Sequence, residues 1–460
     1  MQKFVLILLA CITAILAPVA NLLQWWELYI FLFFLLSALF WRFNKEYFSG
    51  NWFNPMFFFI ISYFAVFIYV PGCSLWGIVL PNKFIRYLDF DFLAGSIVYA
   101  VLGFAMFLLG YMSFSFRLPL QNVLYMEEAR RSIDEKRFWA IFNILLLFGL
   151  SVYGVFVYHA GRSFVIEHQY VDNMFNVQAQ RFLSLHNTIL YCVMGLTGVW
   201  VFLKKPTDLT GFLHVIPLRV WIYLFFVNIL FVLNGDRGFY LPSVLALIMI
   251  YTNIVKPMSC KKFFLCCLIL GVAMTGVGIL REEETKFGFN LESMPVNDLA
   301  FTYQTWNLSL SLYPEVEDFH GGRNLKVSAL RLIPGISTFV DLQKNLDNSS
   351  SLFFTEKLLK NSYGTGTTSL SDLWIDFGVW GIVVGSYLLG LLYGWACLYP
   401  RKNIYGNAIW IVGICYWSFN SLYVHRSVPL EMVRPFLTVV LFIVVTIYFS
   451  RRRGECRHVA

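Results

Sequence analysis

DLWIDFGVWGIVVGSYLLGLLYGWA, residues 372–396, is an apolar run that begins with two carboxylates and contains no other charged residue. The carboxylates are Asp372 and Asp376, and the next charge along the chain is Arg401. An uncharged run of this length matches the ~20 residues that an α-helix needs to cross a bilayer. The sequence therefore predicts a membrane-spanning helix whose acidic end lies at one face of the membrane.

Similar apolar runs occur along the whole chain. The composition, 58% hydrophobic and 13% charged residues, is typical of a membrane protein. We predict an all-α polytopic membrane protein that forms a single integral membrane domain over residues 1–460. Its basic runs are short and lie at helix ends, unlike the clustered surface that nucleic-acid binding requires, so no nucleic acid is expected. The predicted spans, about twelve in number, are residues 4–20, 25–41, 54–71, 91–112, 138–158, 186–203, 214–233, 239–255, 263–280, 372–396, 404–421 and 430–450.

The distribution of charge orients these spans. When the N-terminus is placed in the cytoplasm and the connections alternate, twenty of the 35 Lys and Arg residues lie inside, with seven of the 27 Asp and Glu residues. The inner balance is then +13 and the outer balance −5, which agrees with the net charge of +8. An excess of Lys and Arg on the cytoplasmic side is the normal determinant of orientation, so both termini are predicted to be cytoplasmic.

One connection on the outer side, residues 281–371, is much longer than the others. It contains apolar stretches, such as residues 301–313 and 352–359, together with the Pro334-Gly335 turn. Long loops of this kind are usually functional or contain helices of their own. We predict that about two or three interfacial helices lie over the outer mouth of the bundle with their apolar faces down.

Charged side chains collect at the outer ends of the predicted spans. Arginines on the outer side oppose the cytoplasmic excess of Lys and Arg that sets orientation, so they indicate a function. A guanidinium can bind the oxygens of a phosphate group with two hydrogen bonds. The sharpest local signal is the turn Asn234-Gly-Asp-Arg-Gly238, which holds Arg237 close to the membrane surface; the alternative is a hairpin turn with an ion pair between Asp236 and Arg237. The candidate residues of this kind are Asp236, Arg237, Arg281, Arg323, Arg426, Glu431 and Arg434.

The segment SYGTGTTSLSD, residues 362–372, leads into the predicted span at residue 372. Backbone N–H groups at a helix N-terminus attract anions, and the hydroxyls of Thr367 and Thr368 add donors. The alternative is a flexible lead-in with ordinary capping residues. Asp372 and Asp376 are four residues apart and share one helix face, where they can hold a sugar, act as a base or satisfy the helix N-terminus.

The long loop contains an imidazole close to a guanidinium, in the sequence His320-Gly-Gly-Arg323. Histidine titrates near neutral pH and can act as a general base, and the alternative is a solvated loop residue. Asp372 and Glu431 compete with His320 for the role of base, and the sequence does not choose among them.

These residues resemble those of the bacterial O-antigen polymerase (Wzy) family of polysaccharide repeat-unit polymerases. The resemblance covers the architecture of about twelve spans, inner termini and one large outer loop late in the chain. Locally it rests on the Gly235–Gly238 turn, the Pro334-Gly335 turn and residues 363–378, YGTGTTSLSDLWIDFG, which run into Trp380-Gly381. It implies a GT-C-like membrane glycosyltransferase fold in the bacterial inner membrane, with residues 281–371 as a periplasmic loop.

The resemblance also implies a reaction on the periplasmic face. The growing glycan leaves its undecaprenyl diphosphate and joins a sugar hydroxyl of an incoming lipid-linked repeat unit, while arginines stabilise the departing diphosphate. No cofactor and no metal are expected, and the expected partners are the lipid-linked oligosaccharide, membrane lipid and a chain-length-determining membrane protein. The expected catalytic residues are Arg237, Asp236, His320, Asp372 and Glu431. The expected residues for binding diphosphate or glycan are Arg281, Arg323, Arg426, Arg434, Thr367, Thr368 and Asp376.

Two other functions remain open from the sequence. An O-antigen ligase would use similar outer arginines and a loop histidine to move glycan onto a lipid A core, and it differs from a polymerase in its acceptor. A lipid-linked oligosaccharide flippase or other transporter would place polar residues along the centres of its spans. The span interiors of this chain are nearly uncharged, which favours an enzyme over a transporter.

Overall fold

A computed structural model describes most of the chain, and its regular elements are helical. No β-strand occurs among the residues that it describes, which confirms the predicted all-α class. Those residues are 2–44, 51–80, 86–115, 133–165, 177–233, 237–266, 268–269, 300–330, 366–397 and 403–451.

The α-helices are numbered in chain order, and two π-helices interrupt or extend them. One π-helix, Phe64–Tyr69, joins α3 to α4, and the other, Tyr251–Val255, follows α10. The α-helices are α1 (Gln2–Leu22), α2 (Trp26–Asn44), α3 (Pro55–Tyr63), α4 (Val70–Leu75), α5 (Leu93–Ser115), α6 (Glu135–Val165), α7 (Val177–Lys204), α8 (Leu209–Val215), α9 (Leu218–Leu233), α10 (Arg237–Ile250), α11 (Tyr303–Leu312), α12 (Arg323–Leu330), α13 (Ser369–Cys397), α14 (Ile404–Tyr423) and α15 (Pro429–Phe449).

Eight helical segments of the described chain are long and apolar enough to cross a membrane, and a ninth arises if the bent pair α8 and α9 forms one span. Each predicted span except 263–280 coincides with one helix or with consecutive helical segments, and most of 263–280 lies outside the described residues. The multi-pass helical architecture is therefore confirmed. The predicted total of about twelve spans stays a prediction.

Helix α13 is broken near its start. Gly378 has φ 59° and ψ −139°, a conformation that glycine adopts because it has no Cβ. A Cβ on Gly381 would collide with the backbone carbonyl of Leu373, and one on Gly385 would collide with the Leu373 side chain. In a continuous helix residues 373 and 385 would lie about 18 Å apart. The chain therefore reverses direction at Gly378.

The reversal divides α13 into a half-helix, residues 369–377, and a long arm, residues 379–397. The long arm is about 28 Å long, which is close to the thickness of a hydrocarbon core. Most residues of the half-helix are buried. The sequence predicts one continuous span over 372–396, and the structure differs because Gly378 permits the half-helix to fold against the arm.

The long arm packs against α5 with the two backbones in contact. A Cβ on Gly110 of α5 would collide with the carbonyl of Tyr387, and a Cβ on Gly390 would collide with the carbonyl of Phe107. Among the described elements, α5 and α13 form the most extensive helix contact. Small residues allow this approach, which is how transmembrane helices associate where lipid tails are as apolar as the side chains.

Two helices of the long loop, α11 and α12, lie in the described residues, and α11 is buried. Tyr303 and Trp306 of α11 are both 0% exposed. The Trp306 Nε1–H donates to the Ser96 carbonyl at 3.1 Å, and the hydroxyls of Ser96 and Tyr303 are 2.5 Å apart. The loop therefore contains helices, as predicted, but α11 lies inside the bundle because its polar groups find partners on α5.

Gly390→Leu is expected to separate α13 from α5, because the new side chain would meet the Phe107 backbone, which cannot rotate aside. Overpacking of this kind costs on the order of 3 kcal/mol. Gly154→Leu in α6 is the matched control, since a Cβ at Gly154 has nothing within 4 Å. The measurement is thermal unfolding of the purified proteins in detergent. Equal melting temperatures for the two variants would contradict the close backbone packing.

Candidate functional site

The carboxylate of Asp376 holds the N-terminus of α12. Its Oδ1 accepts a hydrogen bond from the Asn324 N–H at 3.1 Å, and its Oδ2 accepts one from the Leu325 N–H at 2.7 Å. Both N–H groups belong to the first turn of α12, where they have no acceptor within the helix. A residue of the broken span thus fixes the position of a loop helix.

The end of the half-helix supplies two more acceptors to the loop. The His320 N–H donates to the Ile375 carbonyl at 2.9 Å, and the Gly321 N–H donates to the Asp376 carbonyl at 3.0 Å. The last carbonyls of a helix lack donors within it, and the break at Gly378 leaves these two available. The two glycines after His320 have φ of 59° and 86°, which turns the chain from this contact into α12.

Three polar side chains form a row beside this contact. The Tyr313 hydroxyl lies 3.0 Å from Glu317 Oε2 and 3.2 Å from His320 Nε2. Because a carboxylate only accepts, the hydroxyl donates to Glu317 and accepts from the Nε2–H of His320. Burial, with help from the negative charges of Glu317 and Asp376, raises the pKa of Tyr313, so its hydroxyl keeps its proton. This bonding leaves Nδ1 as the unprotonated nitrogen of a neutral His320.

Three enclosed side-chain atoms of residues 320–324 have no hydrogen-bond partner within the described structure. They are Nδ1 of His320 and both amide atoms of Asn324, a residue that is 7% exposed. Buried polar groups in folded proteins are nearly always paired. An ordered water or a ligand hydroxyl would satisfy these three atoms.

Arg323 lies between these two residues. Its side chain is exposed, and its N–H donates to the His320 carbonyl at 3.3 Å. Aromatic side chains lie on the other side of this loop, where the Trp374 Nε1–H donates to the Tyr313 carbonyl at 3.2 Å. The fold therefore gathers a guanidinium-bearing residue, an imidazole and a carboxylate at one corner formed by loop 319–325 and the break in α13.

The other end of the half-helix contains Thr367, Thr368 and Asp372, which are between 0% and 5% exposed. The Thr367 hydroxyl donates to Asp372 Oδ1 at 3.3 Å, and the Ser371 N–H donates to Thr368 Oγ1 at 3.0 Å. These contacts satisfy the N-terminus of the half-helix, in line with the capping alternative. A role for these three residues toward substrate stays a prediction.

Three further predicted residues lie in the segment that follows α14. Arg426 is half-buried, and its guanidinium lies 5.8 Å from the centre of the Tyr423 ring. Glu431 and Arg434 are exposed on the first turns of α15, a helix that contacts α12. The structure thus brings α15 near the loop helix α12. A role for these three residues toward substrate stays a prediction.

The residue that the sequence ranks first, Arg237, begins α10. Its side chain lies outside the described part of the chain, as do Asp236 and Arg281. The roles predicted for these three residues therefore stay predictions.

No group of three or more His, Cys, Asp and Glu side chains is arranged to hold a metal ion in the part of the chain that the structure describes. The Asp376 carboxylate accepts an N–H group on each of its oxygens, so in this structure it acts as a helix cap. Metal-independent chemistry stays a prediction.

Comparison with known proteins addresses the whole chain. The family model described as O-antigen polysaccharide polymerase Wzy matches residues 1–453, which include both sides of the Asp376 corner. The chain belongs to the Wzy family. The resemblance stated from the sequence is therefore confirmed. No curated protein matches the chain, and no solved structure does.

Membership of the Wzy family makes this chain a multi-pass membrane protein of polysaccharide biosynthesis. Wzy proteins are polymerising glycosyltransferases, and their substrate is a lipid-linked oligosaccharide in the membrane.

Sequence reasoning selected His320, Arg323 and Asp376, and the structure brings these three together. The sequence did not point to Tyr313, which contributes the bridging hydroxyl, or to Asn324, which contributes the unpaired amide. Asn324 directly follows Arg323, but no local pattern marks it, because its importance comes from a contact with Asp376 that lies far along the chain.

Asp376→Ala removes both acceptors from the α12 N-terminus. We expect a loss of stability of about 2 kcal/mol, because each lost cap leaves an N–H group unpaired, and a loss of polymer. Asp318→Ala is the matched control, since Asp318 is an exposed acid in the same loop. The measurements are thermal unfolding in detergent and the glycan ladder of cells that express each variant. An Asp376→Ala protein that behaves like the Asp318→Ala protein in both would contradict the assignment.

Proposed function

We propose that this Wzy polymerase acts on undecaprenyl-diphosphate-linked oligosaccharide repeat units at the periplasmic face of the bacterial inner membrane. It transfers the growing glycan to a sugar hydroxyl of the incoming lipid-linked unit. Both termini lie in the cytoplasm in this proposal, as the inner charge balance of +13 favours. A chain-length-determining membrane protein is the proposed partner, and the chemistry is proposed to need no metal or cofactor.

The observation that carries the proposal is the fixed position of loop residues 320–325 on the broken span. The N–H groups of residues 320, 321, 324 and 325 all donate to carbonyl or carboxylate oxygens of Ile375 and Asp376. Groups that are held in place before substrate binds need no reorganisation during the reaction, which is the main source of electrostatic catalysis. The backbone of His320 is held directly in this way, and the Arg323 N–H is bonded to the His320 carbonyl.

The proposed transfer breaks the bond between the anomeric carbon of the growing glycan and a diphosphate oxygen. A new bond forms between that carbon and the acceptor oxygen, and the proton of the acceptor hydroxyl passes to a base. His320 is our first choice as base, because its Nε2 is held by Tyr313 and its Nδ1 is unpaired. Asp372, which is bonded to Thr367, and Glu431 are the alternatives.

The acceptor sugar needs partners for its hydroxyl groups. Both amide atoms of Asn324 are unpaired, and this residue lies in the same anchored loop as His320, so we assign it to acceptor binding. Asp376 contributes by holding Asn324 and Leu325 in place, in addition to the glycan contact predicted from the sequence.

The departing diphosphate carries negative charge and needs fixed cations. Arg323 is the candidate that the structure favours, since it is exposed beside His320. Arg237 remains the candidate that the sequence favours, with Asp236 to orient it. Further contacts to the diphosphate or glycan are assigned to Arg281, Arg426, Arg434, Thr367 and Thr368.

Arg323→Ala is expected to slow polymer formation about 100-fold, because a fixed cation no longer stabilises the leaving diphosphate. Lys326→Ala is the matched control, since Lys326 is an exposed cation on the same helix and has no role in the proposal. The measurement is the rate at which membranes that contain each variant lengthen added lipid-linked repeat units, normalised to the amount of protein.

The two variants separate a specific effect from a general one. A near-normal rate for Arg323→Ala would remove Arg323 from the site. An equal loss in both variants would show that the net charge of α12 matters and that no individual guanidinium does, which would also overturn the assignment.

A further inference from the structure

A polar cavity lies at the opposite end of the bundle from the Asp376 corner. Its volume is about 100 Å³, and it is partly open to the surroundings. Cys397, the last residue of α13, forms part of its wall, about 28 Å along the long arm from the break. None of the residues assigned to glycan transfer lines this cavity, so the reaction does not explain it.

Two chain segments build the polar wall and are joined by hydrogen bonds. The Phe53 carbonyl accepts from the side-chain amides of Asn51 at 2.8 Å and Asn253 at 3.3 Å. Asn51 Oδ1 accepts from the Met258 N–H at 3.0 Å. Asn253 belongs to the π-helix Tyr251–Val255, which extends α10 at its C-terminal end. The wall is therefore a rigid structure that is formed without a ligand.

The cavity favours a negative charge. Of the described residues that line it, only Lys256 is charged, and its side chain is exposed. The connection from Lys256 to Lys262 contains no acidic residue. Pro55 and Met56 also line the cavity and form the first turn of α3. Pro55 has no N–H and the Phe57 N–H donates to Asn54 Oδ1 at 3.1 Å, so the Met56 N–H is the donor that this turn can offer to the cavity.

The remaining wall is apolar and lies at a membrane face. Ile254, Val255, Trp410 and Ile414 line this part. A free inorganic anion gains nothing from such contacts, whereas a phospholipid carries glycerol and acyl carbons next to its phosphate. The candidate span Pro55–Leu75 starts at this cavity, so the cavity lies at the level of the lipid headgroups.

We propose that this cavity binds the phosphate of an anionic glycerophospholipid such as phosphatidylglycerol, with Lys256 and the Met56 N–H as its polar contacts. The face is the cytoplasmic one in the proposed orientation, where basic residues between helices attract anionic lipid. The bound lipid joins α3, the π-helix after α10, α13 and α14, so it stabilises the folded protein by binding to that state alone. This site goes beyond glycan polymerisation.

The test uses the full-length protein purified in a neutral detergent, which removes the charge of the bilayer surface. Bound lipid is counted by native mass spectrometry and the melting temperature is recorded with added phosphatidylglycerol, phosphatidylethanolamine or inorganic phosphate. Phosphatidylglycerol is expected to bind and to raise the melting temperature more than the other two. Lys256→Ala is expected to weaken its binding about fivefold.

Lys136→Ala is the matched control, because Lys136 is an exposed lysine at the start of α6, on the same predicted face, and does not line the cavity. Equal weakening by both substitutions would overturn the proposal in favour of general charge attraction. Equal binding of phosphatidylethanolamine, or equal stabilisation by inorganic phosphate, would overturn it as well. The readout is binding, so its outcome is independent of whether the proposed glycan reaction holds.

Discussion

The hydrogen bonds between a helix end and a loop organise the whole candidate site. Where α13 breaks at Gly378, the Ile375 and Asp376 carbonyls lose their donors, and a membrane protein can leave such groups unpaired only at a high free-energy cost. The N–H groups of His320 and Gly321 satisfy them, and the Asp376 carboxylate binds the start of α12. The positions of His320, Arg323 and Asn324 all depend on these contacts. A structural requirement of the broken helix thus positions the groups assigned to chemistry.

The rigidity of the site comes from the packing beneath it. The long arm of α13 lies against α5 with no side chains between the two backbones at Gly110 and Gly390, so the arm that carries the half-helix is held closely on α5. The buried helix α11 is held on α5 through Ser96, and its last turn leads directly to Tyr313. Both sides of the site are therefore anchored on the same helix.

The sequence predicted what depends on local pattern and missed what depends on distant contacts. Charge-free runs located the membrane helices, because crossing a bilayer imposes a length and an apolar composition. The concentration of charged and titratable side chains on the outer side, against nearly uncharged span interiors, pointed to His320, Arg323 and Asp376. The spacing of Asp372 and Asp376 placed them on one helix face, but it did not show that one binds Thr367 and the other caps α12. The reversal at Gly378 was not predictable, since one glycine among 31 carries no local mark of it.

The most direct test of the account is a reaction with purified components. The protein is mixed in detergent with a single undecaprenyl-diphosphate-linked repeat unit, and the glycan lengths and the released lipid diphosphate are measured together. The account predicts products of two and more repeats, with one undecaprenyl diphosphate released for each new linkage. Unchanged single repeat units, or transfer that occurs only when a lipid A core acceptor is added, would contradict it.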